Sequence, residues 1–357
     1  MLEFKPDWEK TKERYRAWWA GEIVDRCAIA AYAWKPEGPP PPAPPSKIED
    51  RWLDRDYIAA LNDYNLRHTF YGGEALPIWH PGYPGWNTIA VFLGSNVTLK
   101  EDTAWVEPLI PEGSLADYDC SALVIDPSNE SWQRSLRMQR HTAAQARGRS
   151  IPTTGAFGGC GDTLAWLRGS SQLLIDLVEC PECVMKFEMQ LMKQWCEVYD
   201  ALHAITRKDA EGSAGWFELW SPGKFYAAQN DFSYMISPKM FRKIFLPAIE
   251  MQTNFLDHTI YHVDGVASFA HVPALCELPR LHALQILPGA GKPSPLHYID
   301  VLKTVQAAEK NLHISIPPGE VETALRELSP RGLFIHTWCP SESDARDLLG
   351  NVEKWSL

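Results

Sequence analysis

The second half of the chain alternates between two spacings of apolar residues. Short apolar runs such as 258–265 are each followed by a segment such as 267–278, in which apolar residues recur every three or four positions. The short runs predict strands, and the longer segments predict helices with one apolar face. At least five strand–helix pairs follow one another in this way; their predicted strands are 214–222, 258–265, 281–289, 311–318 and 332–340, and earlier candidates are 122–127 and 150–159.

This alternation decides the predicted fold. Repeated strand–helix pairs build a parallel sheet covered by helices. A GxGxxG sequence after the first strand would indicate a nucleotide-binding sheet, and the chain has none. We therefore predict an α/β fold, a (β/α)8 TIM barrel that forms a single domain over residues 1–357. Residues 1–70 are predicted to be an N-terminal helical extension whose proline-rich loop, 35–45, is either a spacer or a partner-binding segment.

Charge and hydropathy exclude several classes of function. Acidic residues outnumber basic ones 45 to 34, and no run of Lys or Arg occurs, so we expect a small molecule or another protein as partner rather than nucleic acid. No window approaches the roughly 18 apolar residues of a spanning helix, and the charged N-terminus does not resemble a signal peptide, which predicts a cytoplasmic protein without membrane contact. The eight cysteines are then expected to be thiols or ligands, although 180–183 reads CxxC.

The carboxyl ends of the predicted strands carry polar side chains. In a barrel these ends meet at one rim, which is where the active site lies. His262 and Asp264 are two residues apart and therefore point the same way on a strand. With Cys339, at the end of a later strand, they would offer a metal three ligands and leave one position open. Alternatively, His262 packs inside the barrel, Asp264 caps a helix and Cys339 is a small apolar residue.

Two carboxylates are candidates for catalysis. Glu218 alternates with Trp216 and Trp220, so on a strand the three side chains share one face. Between two indoles the carboxylate would lose water, which raises its pKa toward general acid–base work; a salt-bridged structural role is the alternative. Asp231 follows Gln229 on a loop before a helix, where it could act on a substrate or cap the helix.

Other residues near the predicted rim are candidates for contact with a substrate. Several of the 15 tryptophans stand beside glycine or proline, which suits an aromatic pocket as well as simple packing. The sequence contains no P-loop, GxSxG or HExxH motif. Cys160 lies between glycines and is expected to be an exposed thiol. The predicted substrate-binding residues are Trp79, His80, Cys160, Trp216, Trp220, Gln229, Gln285 and Trp338.

The order of several segments resembles the uroporphyrinogen decarboxylase superfamily, and within it the methyltransferase-like branch. The segments are RYRAWWAGEIVDR, YGGEALPIW, DTLAWLRGSSQLLIDLVECPE, QNDFSYMISPKMFRKIFLP, YHVDG and LSPRGLFIHTWCPSESDARDLL. The resemblance implies a TIM barrel that moves a methyl group between a small O-, N- or S-methyl compound and a corrinoid or thiol. Such methyltransferases hold zinc with an HxC motif and a later cysteine, and these positions fall on His262, Asp264 and Cys339. The corrinoid would be carried by a separate protein, since no DxHxxG motif occurs in this chain.

Two departures from the family pattern define the alternatives. Asp264 stands where the methyltransferases hold a cysteine, and it replaces a soft thiolate by a hard carboxylate. Residues 26–38 lack the arginine-rich segment of the true haem-pathway decarboxylases, so that activity is not expected. The alternatives to a methyltransferase are a decarboxylase or lyase of a small acid with Asp231 and His262 as acid and base, and a non-catalytic barrel that binds a tetrapyrrole or a partner.

Overall fold

The computed structural model describes residues 2–82, 85–110 and 112–356. Several helices begin at a side chain that accepts a backbone N–H of the first turn, which stabilises the helix start; Ser237, for example, accepts the N–H of Met240, as its position before a proline predicts. The helices of the described residues are α1 (Trp8–Trp19), α2 (Ile48–Leu53), α3 (Arg55–Arg67), α4 (Ile89–Phe92), α5 (Glu130–Ala146), α6 (Asp162–Arg168), α7 (Ser170–Glu179), α8 (Pro181–Thr206), α9 (Pro238–Met240), α10 (Leu246–Phe255), α11 (Val272–Cys276), α12 (Ile299–Ala307), α13 (Val321–Glu327) and α14 (Glu342–Trp355). None of them combines the length and apolar composition needed to cross a membrane.

Seven of the thirteen strands in the described residues lie in the second half of the chain, where the apolar pattern predicts strand–helix pairs. Short turns of 3-10 helix connect several of them to the following helix, and one π-helical turn, Phe241–Phe245, joins α9 to α10. The strands of the described residues are β1 (Ala28–Trp34), β2 (Thr69–Gly73), β3 (Ile78–Trp79), β4 (Val97–Leu99), β5 (Ala104–Val106), β6 (Ile151–Pro152), β7 (Ser213–Ala214), β8 (Trp220–Ser221), β9 (Phe225–Gln229), β10 (His258–Asp264), β11 (Ala283–Leu287), β12 (Asn311–Ser315) and β13 (Leu333–Cys339).

Seven of these strands form one sheet. Their order is β2-β1-β13-β12-β11-β10-β9. All neighbours are parallel except β1 and β2, which run antiparallel. A helix follows each of β9 to β13 in sequence, which is how parallel neighbours are connected. The predicted α/β class with a largely parallel sheet is therefore confirmed.

The sheet is strongly curved. Trp18 and Trp19 of α1 contact Phe334 in β13 and Phe225 in β9, with ring centroids 5.3 and 5.4 Å apart. In a flat sheet, strands four positions apart are separated by about 19 Å, yet the rings of Trp18 and Trp19 lie only 4.3 Å apart. The sheet therefore curls around the end of α1 as a barrel wall does. Within the described ranges its hydrogen-bonded ladder stays open between β2 and β9, so the closed eight-stranded barrel remains a prediction.

The two faces of the sheet have different surroundings. On β10, Ile260 packs into an apolar cluster with the tryptophans of α1, whereas Tyr261 and Val263 pack into the larger cluster that includes α8 and α10. We call the first face inner and the second outer. Because α1 covers the amino ends of the strands, the inner face is free for other residues at the carboxyl ends. The indole of Trp18 fixes this arrangement by donating to the carbonyl of Gly332, just before β13, at 2.9 Å.

Three of the predicted strands differ from the structure. Residues 122–127 are not a strand: Val124 is exposed and the N–H of Ile125 donates to the side chain of Gln194 at 2.8 Å instead of to a ladder. Only Ile151–Pro152 of the segment 150–159 is a strand. The segment 214–222 is a hairpin in which Ala214 pairs with Trp220 across a tight turn.

The cysteines also differ from the prediction in one respect. Cys180 and Cys183, the CxxC pair at the start of α8, are joined by a disulfide. The prediction that all eight cysteines are thiols or ligands is therefore wrong for these two. The six remaining cysteines are free.

Candidate metal centre

The inner face of β10 ends in His262 and Asp264. Both are half-buried, while Val263 between them is fully buried on the outer face. His262 lies opposite Gln229 of β9 on one side and opposite Gln285 of β11 on the other. The carboxyl end of β10 therefore holds an imidazole and a carboxylate side by side, because alternate residues of a strand point the same way.

Asp231 joins this pair from the turn that follows β9. One potential ligand atom from each of Asp231, His262 and Asp264 lies within 4.8 Å of the other two. The 3-10 turn Asp231–Met235 is held by Asn230, whose side chain accepts the N–H of Ser233 at 3.1 Å. A short fixed turn next to a strand end thus brings a second carboxylate to the imidazole.

Cys339, the third predicted ligand, does not belong to this group. It lies in β13, which β11 and β12 separate from β10. Phe334 packs on the inner face of β13, and His336 and Trp338 alternate with it, so Cys339 faces outward and packs among apolar residues under the helices. Asp231, rather than the predicted Cys339, is therefore the third potential ligand beside His262 and Asp264.

The donor set fits a divalent cation. Two carboxylates and one imidazole are ligands that zinc, manganese and iron all accept. Oδ1 of Asp264 is buried without a hydrogen-bond partner, and such an atom destabilises the folded chain unless something binds it. A cation between the three side chains would supply the missing interaction. We name Asp231, His262 and Asp264 the candidate metal centre.

The charges around the centre are mostly negative. Partial burial raises the pKa of Asp231, the charge of His262 lowers it and the charge of Asp264 raises it. Asp162 lies behind Asp231 and accepts the N–H of Phe232 at 2.9 Å. Burial, followed by the charge of Asp231, raises the pKa of Asp162 to about 7. Carboxyl groups that raise one another's pKa favour the binding of a cation.

The orientation of His262 is fixed by hydrogen bonds along the inner face. Its Nδ1 is bonded to Oε1 of Gln285, and Nε2 of Gln285 donates to Nδ1 of His313 in β12 at 3.1 Å. Because the amide oxygen can only accept, Nδ1 of His262 must carry the proton in this arrangement. Its Nε2 then keeps a free lone pair, which is the form that binds a metal.

A cavity of about 410 Å³ adjoins the centre. Trp216 forms one wall, and its ring meets that of His262 edge to face at 5.3 Å. Burial lowers the pKa of His313 well below its ordinary value, so this ring is neutral near pH 7. The lining of the cavity is Trp216, Phe217, Glu218, Gln285, Leu287, His313, Ser315, His336 and Trp338.

Glu218 lines this cavity but is positioned differently from the prediction. It lies at the turn of the hairpin with φ of +60°, and Trp220 points away into the cluster around α1, so the three residues do not share a strand face. The pKa of Glu218 is lowered rather than raised: burial raises it, but interactions with His336, His80 and Tyr32 outweigh burial. The expectation of a raised pKa is therefore wrong, because polar rings rather than two indoles surround the carboxylate.

The other predicted substrate-binding residues separate into two groups. His80 and Trp338 line cavities, and the Nε2 of Gln229 donates to Oδ2 of Asp162 at 2.9 Å beside the centre. Trp79 is buried beside Leu66 and does not line the cavities. Cys160 is buried as well and is not the exposed thiol predicted for it, since its Sγ donates to Oε2 of Glu188 at 3.0 Å.

The structure adds residues that the sequence analysis did not select. Tyr32 of β1 stacks on Trp338 with ring centroids 5.2 Å apart. His313 and His336 face inward from β12 and β13, and Phe217 covers His313 at 5.6 Å. Period-two alternation in the segments 311–318 and 332–340 was the signal that could have found the two histidines.

The fold is shared with a protein of known structure. The centre and its cavity at the carboxyl edge of a curved, largely parallel sheet define an α/β protein with its site at the strand ends. A methyltransferase from Methanosarcina mazei is similar in structure, with a TM-score of 0.62 over 96% of this chain and 98% of that one, at 11% sequence identity. No family model matches the sequence, and no curated protein is similar to it in sequence. The chain therefore has a methyltransferase-like fold, and the likeness extends no further than the fold.

Proposed function

We propose that the chain is a metal-dependent methyltransferase that moves a methyl group between a small O-, N- or S-methyl compound and a corrinoid or thiol acceptor. The observation that carries the proposal is the group of Asp231, His262 and Asp264, with its unpartnered buried Oδ1, at the edge of an aromatic cavity. The fold of the methyltransferase from Methanosarcina mazei supports the class of reaction. The proposed acceptor, a corrinoid on a separate protein, and zinc as the metal come from the resemblance to the uroporphyrinogen decarboxylase superfamily.

The chain's own residues have separate tasks in this proposal. Nε2 of His262 and the carboxylates of Asp231 and Asp264 would hold the metal, which supplies a Lewis acid for a heteroatom of the substrate or the acceptor. Gln285 keeps His262 in the tautomer that binds a cation. Trp216 and Phe217 pack against the imidazole, with ring centroids 5.3 and 6.1 Å from that of His262.

The metal content of protein purified without chelator tests the centre. We expect a stoichiometric divalent metal in the parent chain and its loss in His262→Ala and in Asp231→Asn, which removes a charge with almost no change of shape. Cys339→Ala is the matched control and should keep the metal, because Cys339 faces outward. Metal-free parent protein, or loss of the metal in Cys339→Ala alone, would contradict the proposed ligand set.

Methyl transfer is tested separately. Purified protein is incubated with O-, N- and S-methyl donors and with cob(I)alamin or a thiol, and formation of the methylated acceptor is measured. Activity that disappears in His262→Ala and persists in Cys339→Ala supports the proposal. Failure of every donor and acceptor pair with fully metallated protein counts against it.

A decarboxylase or lyase is the second candidate, and one observation favours it. Burial raises the pKa of Asp231, and this carboxyl has an oxygen within 4.8 Å of a ring nitrogen of His262, so a carboxyl and an imidazole stand together as acid–base catalysis requires. Release of CO2 from a small acid by protein stripped of metal, together with absence of methyl transfer, would favour this activity.

A further inference from the structure

Glu218 occupies a backbone conformation that glutamate rarely adopts. Its φ of +60° lies in the left-handed region, which is sterically unfavourable for a residue that has a Cβ. Only two other non-glycine residues of the described chain share it, Glu211 and Glu309. Strain of this kind persists where the surrounding structure holds it, frequently at functional sites. The hairpin pair β7–β8 provides that support, and Tyr15 donates its hydroxyl to the carbonyl of Glu218 at 3.4 Å.

The carboxylate of Glu218 lies where two cavities meet. One is the 410 Å³ cavity beside the candidate metal centre, and the other has a volume of about 260 Å³. Glu218 and Trp338 line both. Aromatic rings supply much of the remaining surface; they are Tyr32, Trp34 and Tyr71 in the smaller cavity and Trp216 and Phe217 in the larger.

The charge of this surface is negative. Among the described residues that line the two cavities, Glu218 is the one carboxylate, and neither Lys nor Arg occurs. Burial lowers the pKa of His80 and of His313, so these rings are neutral near pH 7. His336 is the third imidazole, and its Nε2 lies 3.8 Å from Oε2 of Glu218. The lowered pKa of Glu218 keeps its carboxylate ionised at this pH.

We infer that Glu218, together with the rings of Tyr32, Phe217 and Trp338, binds an organic cation, an alkylated ammonium group. A methylated ammonium has a diffuse positive charge and an apolar surface, which aromatic faces attract while a nearby carboxylate balances the charge. A negatively charged ligand would be repelled by Glu218, and a neutral ligand of the same shape would gain nothing from it. The rings of Tyr32 and Trp338 are stacked, with an angle of 21° between their planes, and this contact holds the indole of Trp338 in position.

The inference deepens the proposed function, because an alkylated ammonium compound would be the class of substrate brought to the cavity beside the metal centre. That step rests on the proposed methyl transfer. Binding of the cation does not rest on it, since the carboxylate and the rings are present whether or not the metal centre is active.

Choline and 3,3-dimethylbutan-1-ol form the probe pair, because they share a shape and differ in charge. Titration calorimetry with the full chain should show choline binding about tenfold or more tightly than the neutral alcohol, as expected for a desolvated cation–π site. Glu218→Gln should abolish this preference. Trp338→Leu should weaken choline binding too, and since about half of Trp338 is exposed (51%), the fold should tolerate the change.

Matched controls separate the site from general effects. Glu309→Gln neutralises another left-handed glutamate, which is exposed on the surface, and Trp105→Leu removes another exposed indole; neither should change choline binding. Equal affinity for the two probes, or an unchanged preference for choline in Glu218→Gln, would overturn the inference. Choline binding without any methyl transfer would refute only the proposed function. Methyl transfer from neutral donors without choline binding would refute only the cation site.

Discussion

Gln285 is hydrogen-bonded to His262 through Oε1 and Nδ1 across the neighbouring strands β10 and β11. The same amide donates its Nε2 to Nδ1 of His313 at 3.1 Å. In this arrangement the amide nitrogen faces His313 and the amide oxygen faces His262, so Nδ1 of His313 accepts and Nδ1 of His262 donates. Gln285 therefore determines the tautomer of a proposed metal ligand without touching the metal, which makes it a positioning residue.

Loss of this amide should weaken metal binding while the ligands stay in place. We expect Gln285→Leu to lower metal affinity about 10- to 100-fold, the usual effect of removing the partner of a metal-binding histidine. Gln285→Glu should restore affinity, because a carboxylate accepts from Nδ1 of His262 as well. Gln190→Leu removes a glutamine that bonds to a carbonyl far from the centre, and it should bind metal like the parent. Equal affinity of Gln285→Leu and Gln285→Glu in a competitive chelator titration would show that Gln285 does not position His262.

The identity of residue 264 should set the metal preference. Asp264→Cys exchanges a hard oxygen for a soft sulfur, so affinity for Cd²⁺ should rise relative to Mn²⁺. Asp264→Asn should weaken both metals by removing the charge. Asp300→Cys adds a thiol on the exposed face of α12 and should leave the ratio unchanged. The ratio is measured by competition between the two ions, and an unchanged ratio in Asp264→Cys would exclude residue 264 from the ligand set.

The two proposed ligands that share a strand could be predicted from the sequence, and the third could not. His262 and Asp264 face the same way because a strand repeats every two residues, which is visible in YHVDG. The same rule applied to β13 shows why Cys339 faces the helices: Trp338, its neighbour, faces the cavity. Asp231 reaches His262 through pairing of β9 with β10, a contact between residues 31 positions apart that one sequence does not encode locally.

The position of Glu218 could not be predicted from the sequence for a different reason. WFELW alternates as a strand does, and no glycine marks the left-handed turn that Glu218 makes. The turn exists because Ala214 pairs with Trp220, whose indole packs against Trp8 of α1 with ring centroids 5.3 Å apart. Packing of the N-terminal helix therefore overrides the local pattern, and only the folded chain reveals it.

A buried ion-pair network should dominate the stability of the N-terminal region. Glu74 is fully buried and accepts from Nη1 and Nη2 of Arg26 at 2.7 and 3.0 Å, from Arg14 at 3.3 Å and from the N–H of Ile29 at 2.8 Å. Glu74→Gln leaves the buried guanidinium of Arg26 without its anion, whereas Arg14 keeps its pair with Asp25. We therefore expect a loss of about 3–5 kcal/mol in the free energy of unfolding.

The matched control is Glu342→Gln on α14, whose exposed pair with Arg346 should contribute less than about 1 kcal/mol. Urea unfolding followed by circular dichroism measures both variants. If the two variants lose the same stability, the buried network is not what holds the region together.

The pH dependence of stability should reveal a second buried carboxyl, that of Glu188 in α8. Its Oε2 accepts from Sγ of Cys160 at 3.0 Å and from the N–H of Gly161 at 2.9 Å. Burial raises its pKa to about 7 although both hydrogen bonds lower it. A carboxyl whose pKa is higher in the folded than in the unfolded chain takes up a proton on folding when the pH lies between the two pKa values. The fold is therefore stabilised as the pH falls from 8 to 5, by roughly 2 kcal/mol for a shift of this size.

A glutamine cannot titrate, so Glu188→Gln should lose the contribution of this carboxyl to the slope of the free energy of unfolding against pH. Asp162, whose pKa is also about 7, should still contribute to that slope in the variant. Asp119→Asn is the control: hydrogen bonds from Ser121 lower the pKa of Asp119, so it is ionised throughout this range and the substitution should leave the slope unchanged. The free energy of unfolding in urea at several pH values between 5 and 8 gives the slope. A parent-like slope in Glu188→Gln would mean that this carboxyl is ionised in the folded chain, and that its unpartnered Oε1 is reached by water or by a cation.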